Sequence, residues 1–351
     1  MTQGSVDELD LSLINALQVA PRASWSAVGA ALNVDPVTAA RRWERLETSG
    51  LAWVTCVAGP LAHGEFCMVY IDVACRPGRL EDVAAALNGH PEVRYLHQLA
   101  SEYELLVVIA VAEPADVAVY LSARLAGTDG IASYRAHLRT AGYREPSGWR
   151  LHTLTPAQRA ALESAARPSA QPDRRHVRTD DVDRRLFALL HEDGRMPANR
   201  VALRTGISEA SARRRISRLL VNQLVRLRCE VAQSVSGTPV TAVLRLRAAP
   251  ERLDATARQL AVLRETRMCC ALAGPDNLLL MLWLPTLGEL PRFEAALAER
   301  LPKLVIADRS VCLRTLRQMG RLLDGAGRAV GRADEGWPLG AADGGAAEPA
   351  R

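Results

Sequence analysis

One fixed spacing relates the two halves of this chain, and it limits the folds open to it. Arg41 and Arg214 are 173 positions apart, as are Arg45 and Arg218. The same offset carries Asp10, Leu13 and Leu17 onto Asp183, Leu186 and Leu190, Val28 onto Val201, and Leu80 and Leu87 onto Leu253 and Leu260. The apolar run Glu104–Val111 falls on Asn277–Leu284. An offset that stays constant over this span indicates tandem duplication of one unit. Whatever the first half folds into, the second repeats.

The clearest stretch within the unit is Ser208–Leu220. Ala212, Ile216 and Leu219 recur at helical spacing and make a narrow core-facing stripe. Ser211, Arg214, Arg215 and Arg218 make the opposite stripe, and Ser208 suits the N-cap. In the first copy Ala39, Trp43 and Leu46 lie behind, and Thr38, Arg41, Arg42 and Arg45 lie in front. A charge run is usually a solvated surface. A helix with an apolar back and an arginine front, present twice, suits the major groove of DNA. Just before it stands Asn33 in the first copy and Gly206 in the second, the residue types that best tolerate positive φ. With amphipathic helices from Asp7 and from Ser24, this predicts three helices with a sharp turn before the third, a helix-turn-helix.

The period then changes. Leu51–Val57 reads as a strand leading out of the helices. Phe66–Val73, Val93–Leu99, Tyr103–Val111 and Ile131–Leu138 read as strands, with helices after Pro77-Gly78 and from Pro114. The order β-α-β-β-α-β is a ferredoxin-like split unit, an antiparallel sheet with helices on one face. Its other face is left to pair with a second sheet. The expected class is therefore α+β: two winged-helix-like helix-turn-helix domains alternating with two ferredoxin-like domains. We place the first pair at 1–58 and 59–141 and the second at 179–232 and 233–322. Residues 142–178, punctuated by Pro146, Pro156, Pro168 and Pro172, read as a linker with some local helix from Thr155. Residues 323–351, rich in Gly, Ala and Asp, read as a disordered tail.

Composition narrows the function classes. The net charge of +5 is a mild bias toward polyanions. The seven cysteines are scattered without a CxxC pair and read as reduced core residues in a cytoplasm, with no zinc site. Cys269 and Cys270, adjacent on a strand, should point to opposite faces. The start of the chain has no signal-like segment, and no apolar run reaches membrane-spanning length. No P-loop, GxSxG, HExxH or Gly-rich dinucleotide motif appears, and no metal or cofactor is expected.

This arrangement resembles the Lrp/AsnC family of prokaryotic transcription regulators. The residues carrying the resemblance include Asp7-Glu8-Leu9-Asp10, Leu32-Asn33-Val34-Asp35 and Arg42–Glu47 with Gly50. In the second half they include Asp183, Thr205-Gly206-Ile207-Ser208 and Arg215–Leu219. The resemblance implies a double-stranded DNA operator as partner and dimerisation through the sheet (RAM-type) domains. Two units in one chain then look like a covalent pseudo-dimer that can assemble further. Thr38, Arg41, Arg42, Arg45, Ser211, Arg214, Arg215 and Arg218 are the expected DNA contacts. Because Thr38 and Glu44 stand against Ser211 and Ser217, the operator should be less palindromic than a homodimer's.

The resemblance also implies an amino-acid-like effector at the loop between the second and third sheet strands. That loop holds Ser101, Glu102 and Tyr103 in the first unit and Gly274, Asp276 and Asn277 in the second. Ser101 stands where the family pattern has glycine, and Pro275 lacks an N–H, so the second loop is the better candidate through Gly274. An ordinary strand-connecting turn explains either loop equally well. Two other functions compete: an enzyme resembling the siroheme decarboxylases of the same fold, and a sensor that no longer binds DNA. The seven histidines neither cluster nor repeat between halves, which weighs against the first. The arginine stripes weigh against both.

Overall fold

A computed structural model of the chain describes residues 6–59, 66–167 and 179–333. Helices α1 (Glu8–Val19), α2 (Trp25–Leu32) and α3 (Pro36–Thr48) form the first head. Asp7, Ser24 and Asp35 cap them through side-chain oxygens that accept otherwise orphaned N–H groups. The turn before α3 is closed by Asn33 at φ 55°. Strand β1 (Ala52–Ala58) leaves the head. The first sheet domain runs β2 (Cys67–Cys75), α4 (Leu80–Asn88), β3 (Val93–Ala100), β4 (Leu105–Val111), α5 (Pro114–Val119) with a π-helical continuation Tyr120–Leu125, and β5 (Ile131–Arg144).

After α6 (Pro156–Ala165) the order repeats. The second head is α7 (Asp181–Glu192), α8 (Ala198–Thr205) and α9 (Glu209–Val221), with Gly206 at φ 74° in the turn. Then come β6 (Val225–Val231), β7 (Val240–Arg247), α10 (Leu253–Ala261), β8 (Thr266–Leu272), β9 (Leu278–Leu284), α11 (Glu289–Arg300) and β10 (Val305–Gln318). The hairpin β11 (Arg321–Leu323) and β12 (Ala329–Arg332) follows.

The two sheets lie face to face and join at both edges. In-register pairing gives the order β3-β4-β2-β5 in one and β8-β9-β7-β10 in the other. β5 bonds β2 through Leu138 and then β8 from Arg139, while β10 bonds β7 up to Cys312 and β3 from Val311. The length of β5 and β10 makes this possible, since each serves its own sheet with one half and its neighbour with the other. Each sheet buries one face against its own helices. Val83, Leu87 and Val117 cover the first, and Ala257, Leu260 and Leu297 cover the second. Tyr70, Leu106, Val108, Met268 and Met281 fill the layer between the sheets. Cys269 faces the helices and Cys270 the inter-sheet layer, as strand alternation requires.

The duplication is also a spatial two-fold. β1 pairs antiparallel with β6, and Thr55 faces Arg228, its own counterpart 173 positions on. Reciprocal arginines bind the halves. Arg22 donates to the carbonyls of Gly194 (2.8 Å) and Met196 (3.0 Å). Its counterpart Arg195 donates to Pro21 (2.6 Å) and Ala23 (2.9 Å), and stacks over Trp25. Arg144 donates to Ala261 (2.8 Å) and Leu263 (3.0 Å), and Arg317 to Asn88 (2.8 Å) and His90 (3.1 Å). Each of this second pair thus satisfies carbonyls where the other unit's first sheet-domain helix ends.

The structure differs from expectation in three places. β1 does not simply leave its head: Cys56 joins the core of the second head, and Cys229 and Val231 of β6 join the core of the first. The linker expected over 142–178 is structured as far as 167. Trp149, Leu151, Leu154 and Leu162 pack into the first head, and buried Asn15 accepts from the backbone of Thr153 (3.2 Å) and Leu154 (3.3 Å). Residues 168–178 lie outside the described residues. The tail expected to be disordered from 323 begins instead with β11 and β12, where Ala329 donates to Gly50 (2.9 Å) and Arg332 pairs with Glu192 (2.8 Å). The rest of that tail, 334–351, is likewise outside them.

Removing Arg317, whose side chain is fully buried, takes the donor from the carbonyl of Asn88 and leaves that of His90 only the bond from the Val93 N–H (3.2 Å). Arg317→Ala should destabilise the protein by roughly 2–4 kcal/mol in urea unfolding. Arg144→Ala, at the opposite edge, should add its own loss almost independently.

Candidate nucleic-acid interface

The cationic stripes of α3 and α9 divide into two sets. Asp7 and Asp10 form a capping box at the start of α1, each accepting from the other's backbone N–H (3.2 and 2.8 Å). The same carboxylates receive α3: Arg42 bridges Asp7 (2.7 Å) and Asp10 (2.9 Å), and Arg45 pairs with Asp10, which is fully buried. Hydrogen bonding to Arg42 holds the Asp7 carboxyl below its ordinary range. In the second head Arg215 bridges Asp180 and Asp183 (2.9 Å each), and Arg218 pairs with buried Asp183. Four arginines predicted as DNA contacts therefore tie the third helix to the first. Their side chains remain partly exposed, 42% for Arg45 and 39% for Arg218.

Arg41 and Arg214 are the second set. Both are exposed, and neither has an ion-pair partner among the described residues. Thr38 and Ser211 lie one turn earlier on the same face and are half-exposed. Arg213, an extra charge on α9, is neutralised by Glu209 one turn before it. Of the eight residues expected to contact DNA, Thr38 and Arg41 with Ser211 and Arg214 are thus the ones that face outward without an ion pair among the described residues. The acidic partners are legible in hindsight, because Asp7, Asp10, Asp180 and Asp183 keep the same 173-residue offset as the arginines.

The loops predicted to hold an effector are largely committed to their own turns. Ser101 accepts from the N–H of Tyr103 (3.2 Å), Tyr103 lies under Arg135 (4.5 Å), and Glu102 is exposed. Asp276 pairs with Arg247 (2.9 Å), and Asn277 exchanges two hydrogen bonds with the backbone of Ala248 (2.8 and 3.0 Å). Gly274, at φ 149°, admits His137: a Cβ there would stand 2.8 Å from the imidazole Nδ1. Both loops therefore meet β5, but neither lines the cavity between the sheets.

That cavity, about 200 Å³, lies between the sheets. Tyr95, His97 and Thr315 form one wall, and Arg267, Met281 and Trp283 another. His97 shares a hydrogen bond with Thr315 (3.0 Å). Arg267 stacks on Trp283 (4.2 Å) and donates to Glu230 (2.8 Å). Desolvation pushes the His97 imidazole down to about 4. Neither His97 nor Arg267 stands out in the sequence, since nothing local marks a strand residue as facing a second sheet. Among the described residues no group of His, Cys, Asp or Glu could hold a metal ion, and no helix is long and apolar enough to cross a membrane.

A duplicated helix-turn-helix head, each joined to an antiparallel α+β sheet domain, defines a regulator-type protein. Models of known families agree: the AsnC-type helix-turn-helix domain matches residues 6–47 and 180–220, and the Lrp/AsnC ligand binding domain matches 68–145. The chain thus carries two AsnC-type helix-turn-helix regions and an Lrp/AsnC ligand binding domain, the make-up of an Lrp/AsnC-type transcriptional regulator. It is similar to an uncharacterised HTH-type transcriptional regulator of Pyrococcus horikoshii, 27% identical over 35% of this chain and 78% of that protein. It is also similar to the HTH-type transcriptional regulator AldR of Mycobacterium tuberculosis, 29% identical over 32% of this chain and 66% of that one. Among solved structures it resembles the siroheme decarboxylase NirDL in complex with an iron-uroporphyrin III analogue. The TM-score is 0.58 at 14% identity, over 89% of this chain and 93% of that one, a likeness of fold alone.

Because His97 is neutral when folded and titrates near 6.5 when unfolded, acid favours the unfolded chain. Its contribution is complete above about pH 6.5 and is lost as the pH falls toward 4, by about 3 kcal/mol at most. In urea unfolding at a series of pH values, His97→Gln should remove that part of the acid sensitivity. An unchanged profile would show that His97 does not titrate this way.

Proposed function

We propose that the chain works as a covalent pseudo-dimer that presents α3 and α9 to two half-sites of one duplex. The observation carrying this is the reciprocal grip of Arg22 and Arg195, which fixes two like heads about a two-fold while Arg41 and Arg214 stay free on their outer faces. Arg41 and Arg214 enter the grooves with Thr38 and Ser211 beside them. Arg42, Arg45, Arg215 and Arg218 orient the helices and add flanking positive charge near phosphates. Val37, 74% exposed on the first turn of α3, is placed for a thymine methyl, and its counterpart is Ala210. With Glu44 against Ser217, this supports an operator with unequal half-sites.

We assign the effector, an amino acid or a molecule of that size, to the inter-sheet cavity rather than to the loops 101–103 and 274–277. Those loops spend their polar groups on their own turns. At about 200 Å³ the cavity falls below the ~300–1,000 Å³ typical of drug-sized ligand sites. That cavity is too small for the tetrapyrrole of a second reading, an enzyme, which is favoured by the fold likeness to NirDL and by a roomier cleft of about 730 Å³ between Trp149, Arg264 and Phe293.

Binding-site selection from genomic fragments at two salt concentrations tests the DNA reading, with a related pair of unequal half-sites about one helical turn apart as the expected result. Arg41→Ala and Arg214→Ala should each weaken operator binding by about 1–3 kcal/mol as base readers, or lower the salt slope by about one as phosphate contacts. No change in either measure would remove that residue from the interface. Failure to enrich any sequence, together with a shifted tetrapyrrole absorbance on mixing, would favour the enzyme.

A further inference from the structure

Four charged residues meet where the two sheet domains face each other. Asp72 of β2 is almost fully buried and accepts from Arg135 of β5 (2.7 Å) and from Arg245 of β7 (2.6 and 2.5 Å). Arg135 reaches Asp308 of β10 (3.7 Å), which stands opposite Arg245 in the β7–β10 register. Arg245 is the counterpart of Asp72, and Asp308 is the counterpart of Arg135, each 173 positions on. The charges are thus inverted between the units: acid-then-base in the first, base-then-acid in the second. Counterparts that touch across a two-fold would meet themselves in a dimer of identical units. Two first domains docked this way would bury Asp72 against Asp72, and two second domains Arg245 against Arg245. Like charges with 4% exposure face a large desolvation and repulsion penalty, and arginine does not escape it by losing its proton.

We infer that Asp72, Arg135, Arg245 and Asp308 form a charge code that lets the first sheet domain pair with the second and rejects like-with-like pairing between copies of the chain. The code combines an attractive and a repulsive element, as specific interfaces do. The reciprocal arginine grips cannot supply this choice, because they are the same in both directions. The inference rests on the pseudo-dimer reading. Its test needs no DNA, and the unaltered chain's own inter-domain protection checks that reading first.

Two paired swaps in the full chain make the test: Asp72→Arg with Arg135→Asp, and Arg245→Asp with Asp308→Arg. Each keeps opposite charges within its own unit and sets like charges across the axis. Each alone should lower hydrogen-exchange protection in the β5–β8 and β10–β3 ladders by about tenfold or more, while β2–β4 and β7–β9 stay protected. All four substitutions together should restore it. The two swapped chains, tagged differently and refolded together, should form 1:1 complexes, whereas two tagged copies of the unaltered chain should not. Unchanged protection in both swaps, no recovery in the combined chain, or no mixed complex would each overturn the code. The combined chain and the co-refolding decide the matter even if a single swap does not fold alone.

Discussion

An arginine side chain offering its planar fork to a pair of backbone carbonyls holds this molecule together, and it does so four times. Arg22 and Arg195 grip the turn after the first helix of the opposite head, and Arg144 and Arg317 grip the end of a helix in the opposite sheet domain. The carbonyls they serve are buried or half-buried, so loss of an arginine costs each a hydrogen bond, although His90 and Leu263 also accept from the N–H groups of Val93 and Thr266 (3.2 Å each). Guanidinium suits the task because its donors are rigidly spaced and its charge is permanent. The grips come in counterpart pairs. They therefore set the two heads and the two sheets about a common two-fold, and the direction in which α3 and α9 point follows from them.

The exchange of strands between heads has the same consequence. β1 and β6 form one ribbon, and each completes the core of the head it did not come from. A head moved alone would strip Cys56 or Cys229 from its apolar neighbours. The two heads are thus coupled to each other, and α3 and α9 with them, through one ribbon.

The architecture was largely legible because its main signals are local. Helical period, capping residues and an Asn or Gly at the one positive-φ turn mark the heads, and alternation marks the strands. The fixed offset then doubled every inference. The docking of the segment around Trp149 and Leu162 was not legible, nor was the hairpin at Ala329. Proline, glycine and alanine composition looks the same whether a stretch packs on a neighbour or floats. The site was half legible. Residue spacing put three arginines of each stripe on one face, yet whether an arginine meets a phosphate or a carboxylate depends on what lies across from it. Asp10 and Asp183 lie across from two of them, 32 and 35 residues away in sequence.

Joining the copies in one chain changes what the two-fold axis permits. In a dimer of identical chains an on-axis residue must tolerate itself, so a lone charge there is excluded. Here Thr55 faces Arg228 and Asp72 faces Arg245. Off the axis the grips kept both partners unchanged, as Arg22 with Arg195 and Arg144 with Arg317. On the axis the partners diverged, and Arg228 now feeds a buried set with Tyr95 and Glu230 that borders the cavity on one side. His97 and Tyr95 on that side have Cys270 and Met268 as counterparts, so the two units line the inter-sheet space with unlike residues. A symmetric ancestor built from either half would have had to bury a pair of like charges to keep the same docking, and so neither half can now serve as its own partner.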